Sequence, residues 1–145
     1  MSQQPQNFEN HTQRVPVFLG TLLVLLLSII GAAVNLYQSL GDHQRLYSAS
    51  LILVLAICAF IAASMARIFA LKAQDRAIRA EENLRHYVLT SHLLDPRLSP
   101  LQIVALRFAS DGEFPELARR AAEQNLDPKD IKKTVKHWRP DTYRA

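Results

Sequence analysis

The side chains that could hold a metal or move a proton are few and scattered. Histidines stand at positions 11, 43, 86, 92 and 137, and no pair has the spacing of a metal site. His86 and His92 are six positions apart and point to different faces of a helix, so they read as surface residues. Cys58 is the single cysteine. One thiol allows no disulfide within the chain and no metal centre, and in an apolar run it reads as a small packing residue. There is no nucleophile motif, no glycine-rich phosphate loop and no carboxylate pair in an apolar setting. The sequence predicts a protein that is not an enzyme, with no catalytic residue, no cofactor and no evident small-molecule substrate.

Binding chemistry has more to work with. Arg67, Lys72, Arg76 and Arg79 cluster just past an apolar run. Such cations set topology and snorkel to the water boundary, and they are also candidates to hold an anionic lipid headgroup. Thr21, Ser28 and Asn35 fall seven residues apart, with Gly31 beside them. Polar groups on an apolar helix prefer protein to lipid, which points to interhelical hydrogen bonds. The sharper reading is the lining of a pore. Neither apolar run contains an acid or base, so a proton relay has no residue to use.

The elements that must carry these residues are set by charge. Val15 to Leu36 and Leu46 to Ala66 contain no Asp, Glu, Lys or Arg. A bilayer core of about 30 Å needs roughly 20 such residues in a helix, and lipid leaves the backbone no other way to satisfy its hydrogen bonds. Gly31, Ala32 and Ala33 resemble a signal-peptide cleavage site. The apolar stretch before them is too long for one, and only Arg14 precedes it as fixed positive charge, so an uncleaved span is expected. The basic residues beyond the second run, with Arg14 before the first, put both termini in the cytoplasm. Residues 67–145 carry 15 Lys and Arg against 11 Asp and Glu. That excess suits an anionic membrane face and is too dispersed for nucleic acid.

The expected fold is an all-α membrane protein: a two-helix transmembrane hairpin whose second helix extends into the cytoplasm, then a bundle of three short helices. Its parts are a polar segment of little regular structure (1–14), a first span (15–37), an external loop (38–45), a second span (46–66), a helical extension (67–94) and a C-terminal helical domain (95–145). The second helix has no stop before Asp95-Pro96 and is expected from about Leu46 to about Leu93, with Asp75–Arg79 and Glu81–Arg85 as i,i+4 ion pairs. Ser99-Pro100 caps a helix with Leu101, Val104, Ala105 and Phe108 on its apolar face. Phe114, Leu117, Ala118, Ala121 and Ala122 mark the next, ended by Asn125. Asp127-Pro128 starts a last helix with Ile131, Val135 and Trp138 on one stripe, closed by Pro140. Its lysines, 129, 132, 133 and 136, are solvated if it joins a bundle and face headgroups if it lies on the membrane.

The second helix also carries a heptad. Ala56, Ala59, Ala63, Ala66, Ala70, Ala73, Ala77, Ala80, Leu84 and Tyr87 follow at alternating spacings of three and four, the a and d positions of a coiled-coil seam. Small residues allow close helix approach in lipid. Arg76 is then a g residue and Glu81 the following e residue, which a parallel partner would set opposite each other. The partner could be another copy, the first span or a foreign subunit.

The stretch Arg67 to Arg85, with Leu106 to Asp111, Ile131 to Lys133 and Trp138 to Asp141, resembles a family of small bacterial two-span inner-membrane proteins with no assigned function. The resemblance extends over nearly the whole chain. It implies a bacterial inner-membrane location and no activity. The function expected is that of a membrane-anchored scaffold or accessory subunit, an oligomer with itself or with other membrane subunits, in contact with lipid. The alternative is an oligomeric channel lined by the Thr21, Ser28 and Asn35 face.

Overall fold

In the computed structural model, residues 6–10 and 15–141 are described. Arg14 and His11, and with them part of the polar segment 1–14, lie outside the described residues. There are five helices and no strand among the described residues: α1 (Pro16–Gln38), α2 (His43–Thr90), α3 (Pro100–Leu106), α4 (Phe114–Gln124) and α5 (Pro128–Thr134). The chain divides into two compact units; of the described residues, 15–70 belong to the first and 71–141, with 6–10, to the second.

The first unit is a helical hairpin. Pro16 opens α1, where its missing N–H costs no hydrogen bond. Ser39 closes it, its N–H reaching Asn35 and Leu36 carbonyls and its hydroxyl donating to Asn35 O at 2.8 Å. Gly41 turns the loop at φ 104, a conformation that favours glycine. Asp42 then caps α2, accepting from the N–H groups of Gln44 and Arg45. The least exposed positions of α1 are Phe18, Leu22, Leu25, Ile29, Ala32, Leu36 and Ser39. Those of α2 within this unit include Leu46, Ala49, Leu53, Ala56, Phe60, Ala63 and Arg67. Both series alternate three and four, so each helix turns one stripe inward. The Arg67 guanidinium sits 5.8 Å from the Phe18 ring centroid. Both helices are long and apolar enough to cross a membrane, and only 6% of the most apolar stretch of each is buried. The core helix of a water-soluble fold would be mostly shielded.

The second unit is built on the distal part of α2. That helix ends at Thr90, three residues before the expected Leu93. Ser91 takes a left-handed φ of 62, and Thr90 Oγ1 turns back onto His86 O. The turn is held from within the helix, where Asn83 Oδ1 accepts the Leu94 N–H at 2.9 Å. Such a terminus needs no proline, which is why Asp95-Pro96 does not mark it.

Ser99 and Gln102 form a capping box at the start of α3, and Gln102 Nε2 donates to Leu126 O at 2.8 Å. α3 packs against both α4 and α5, so it buries Gln102, Ile103, Ala105 and Leu106. The expected stripe is therefore shifted: Leu101 is 61% exposed. A seven-residue helix between two neighbours has no single inner face. α4 buries Phe114, Leu117, Ala118, Ala121 and Ala122 and ends at Asn125, φ 47, as the sequence predicts.

α5 starts at the Asp127 cap but stops at Thr134, short of the expected Pro140. Val135 is extended, and the chain pairs antiparallel with the end of α3. Ser110 N–H donates to His137 O and Arg139 N–H to Phe108 O, at 3.1 and 2.7 Å. Backbone pairing with a distant segment outcompetes one more helical turn. Ile131 and Phe108 are fully buried, and Trp138 stacks at 4.9 Å from Phe108. α5 is thus a bundle helix, and its neighbours satisfy part of its charge: Lys132 lies over Phe108, and Lys133 pairs with Asp130. Gln6 Oε1 accepts the Asp141 N–H at 2.8 Å, so part of the N-terminal segment is tied to this unit.

Candidate functional site

The most concentrated polar chemistry among the described residues lies within the second unit, around Arg85. Two helical turns of α2 present Glu81, Glu82 and Arg85. The turn after α3 supplies Asp111, and the extended end of the chain supplies Arg139. Together they line an open hollow of about 350 Å³. Arg85 is the hub. Its guanidinium donates to Glu82 Oε2 at 2.9 Å, to Asp111 Oδ1 at 2.7 Å and to Ala109 O at 2.7 Å, and it lies 4.4 Å from the Phe114 ring centroid. Its side chain is 11% exposed and that of Glu82 7%. Arg139 approaches Glu82 at 3.5 Å. A planar guanidinium can meet several acceptors and an aromatic face at once, which suits it to lock three chain segments together.

Arg85 does not pair with Glu81. The expected i,i+4 pair loses to Glu82, to Asp111 and to a buried carbonyl, because charge-assisted bonds out of water are stronger than a surface pair. Asp75 and Arg79 likewise form no ion pair among the described residues. Sequence reasoning marked Arg85 but missed Glu82, Asp111 and Arg139. Glu82 could have been found as a charge on the helix face away from the alanine seam. Asp111 and Arg139 carry no comparable local signal.

A second node stabilises the C-terminal turn. Glu113 accepts from the N–H groups of Lys136 and His137 at 3.1 and 3.0 Å and from the His137 ring at 2.5 Å. Burial works against the charged carboxylate, but these donors outweigh it and hold Glu113 below the ordinary glutamate range. Arg107 Nε lies 3.1 Å from Asp141 Oδ2. On the surface, Arg97 forks onto Asp95 and holds that carboxyl at about 2.

The residues singled out in the sequence are placed as follows. Of the heptad, Ala56 and Ala63 are half-buried on the inward stripe of the hairpin unit. Ala59, Ala66, Ala70, Ala73, Ala77, Ala80, Leu84 and Tyr87 are exposed. Thr21, Ser28 and Asn35 are exposed and lie beside the inward stripe of α1, not on it. Thr21 and Ser28 donate to the carbonyls of Val17 and Val24 on their own helix, so neither hydroxyl is spent on an interhelical bond. Arg67 is half-buried against Phe18, while Lys72, Arg76 and Arg79 are exposed. Cys58 is a free, exposed thiol. His86 bonds His92 O at 2.8 Å and packs edge-on against Phe114. Among the described residues no group of three or more His, Cys, Asp or Glu is placed to hold a metal ion.

The fold and this polar lock define a class: a helical hairpin with two candidate membrane spans, continued by a small all-α domain whose charged groups hold its own segments together. Within that class, the chain belongs to the family of unknown function DUF6526, whose profile matches residues 1–145. No curated protein and no solved structure matches it.

Proposed function

We propose that this protein is a membrane-anchored scaffold or accessory subunit that acts through helix-packing surfaces and does no chemistry of its own. The two apolar helices anchor it, in the inner membrane of a bacterium on the resemblance noted above. The charge excess beyond the second span supports a topology with both termini in the cytoplasm. The reading is carried by one observation. The water-side part of α2 leaves Ala73, Ala77, Ala80, Leu84 and Tyr87 exposed, although the same segment buries Ile78 and Glu82 in its own domain. Leu84 and Tyr87 are large apolar groups outside the apolar spans, where lipid does not cover them. Exposed apolar surface of this kind marks an interaction site.

The polar chemistry of the domain is consistent with the same role. Arg85, Glu82 and Asp111 are spent on one another, as structural ion pairs rather than as groups turned to a substrate. A channel would place charged rings or exposed carbonyls along its path. The Thr21 and Ser28 hydroxyls are instead occupied by their own helix.

The test is the native mass of the full-length protein after mild detergent extraction, together with ion flux in liposomes. An assembly heavier than one chain, without flux, is the expected result. A single chain without partners would overturn the scaffold. Robust flux abolished by Asn35→Leu would replace it with the channel.

A further inference from the structure

We infer that the partner of the exposed α2 face is a second copy of this chain, packed parallel and in register along residues 73–88. The inference rests on the membrane-anchored reading above, because two copies inserted alike in one bilayer must run in the same direction.

Three features of the second unit support it. The first is the position of the face. At about 100° per residue, Tyr87 lies roughly 180° around the helix from Ile78, and Ala80 and Leu84 lie about 20° and about 60° further round from Tyr87, both on the same side of it. Ile78, Glu82 and Arg85 turn toward the domain, with exposures of 7, 5 and about a tenth. Within the second unit, the domain therefore occupies one side of α2 and leaves the opposite side open over residues 73–88. The second feature is size. The face is not only alanine: Leu84, Tyr87 and Val88 are 63, 52 and 74% exposed. They form a contiguous apolar end that water would solvate poorly. Ala73, Ala77 and Ala80 precede them, so the backbones could converge there while the large side chains interlock beyond.

The third feature is charge, and it identifies the occupant. Arg76 and Glu81 flank the face on opposite sides. Both are exposed, and neither forms an ion pair among the described residues. In a parallel in-register pair, a g residue meets the e residue five positions on in its partner. Arg76 of each copy then meets Glu81 of the other, and the contact occurs twice by symmetry. An antiparallel pair would not bring these two residues together by that rule, and a foreign helix would need its own matching charges. The lock around Arg85 matters here too. By drawing Arg85 to Glu82 and Asp111, it leaves Glu81 free for the partner.

The experiment uses the full-length chain in membranes, in a Cys58→Ser background, with two differently tagged copies co-expressed. Ala80→Cys and, separately, Ala73→Cys place a thiol at d positions, where like residues of a parallel pair come close. Arg79→Cys places one on the flank. Mild oxidation should cross-link the two tags through Ala80→Cys and Ala73→Cys at least several-fold more than through Arg79→Cys. Arg76→Glu or Glu81→Arg alone should reduce the cross-link severalfold, and the two together should restore it, because the exchanged charges match again only if both chains carry them. Retained Trp138 emission checks that each variant is folded. No cross-link between tags at either d position, or loss without restoration in the double exchange, overturns the second copy as partner. If the native mass still exceeds one chain, the scaffold reading survives with a different partner. If it equals one chain, both readings fail.

Discussion

Replacing Arg85 by methionine isolates the contribution of the polar lock. The substitution keeps a long apolar stem in place and removes the guanidinium. Glu82, with 7% of its side chain exposed, then loses its closest cation and retains only Arg139 at 3.5 Å. The Ala109 carbonyl loses its donor. Breaking a buried ion pair from one side typically costs about 3–5 kcal/mol. The remaining Arg139 argues for the lower end. Asp111 is 69% exposed, so its share is screened and adds little. An expected loss of about 3 kcal/mol corresponds to a fall in Tm of roughly 12–24 °C for a domain of this size. Trp138 is the only tryptophan and stacks on Phe108 in the domain core, so its fluorescence reports this unit during thermal or urea unfolding in detergent. The double variant Glu82→Leu, Arg85→Met removes both charges and should recover a substantial part of the loss, since the penalty comes from the stranded carboxylate. Arg85→Met unfolding at the wild-type midpoint would refute the reasoning. A double variant no better than the single one would refute the stranded-charge account and leave the packing on Phe114 as the cause.

Glu113 should make the C-terminal turn acid-sensitive. Its folded-state pKa is depressed, so the stability it contributes is present above the ordinary glutamate value of 4.5. It is lost as pH falls through the lower folded value. Trp138 emission followed below pH 5 should show this transition, and Glu113→Gln should lower stability at neutral pH while flattening the acid dependence; an unchanged acid profile in that variant would rule it out. For topology, a cysteine at exposed Gln44 in a Cys58→Ser background should react from outside intact cells with an impermeant label, and one at Ser99 should not. Labelling at Ser99 would reverse the orientation.

Much of the architecture is local and so was written in the sequence. The absence of charge over 15–36 and 46–66 suffices to require two apolar helices, because each residue carries its own transfer free energy. Ser99-Pro100 and Asp127-Pro128 start helices through bonds spanning two or three residues, and Asn125 ends α4 through its own tolerance for left-handed backbone. The heptad was also legible, since helical periodicity needs nothing beyond the chain itself.

The tertiary structure decided how these helices use their faces. Arg85 stands four residues from Glu81 and three from Glu82, and both spacings allow an ion pair on a helix. Only the approach of Asp111 and Ala109, more than twenty residues on, turned it toward Glu82 and left Glu81 free. The heptad alone did not distinguish Ala56 and Ala63, half-buried in the hairpin, from Ala73, Ala77 and Ala80, exposed beyond it. α5 stopped at Thr134 because residues 137 and 139 pair with the backbone of 108 and 110, and α3 lost its single apolar face because two helices enclose it. Each of these outcomes is a competition between a local interaction worth a few tenths of a kcal/mol and a buried contact between distant segments. Burial strengthens the distant contact and makes any unpaired group costly, and spacing along the chain carries no record of which segments will meet.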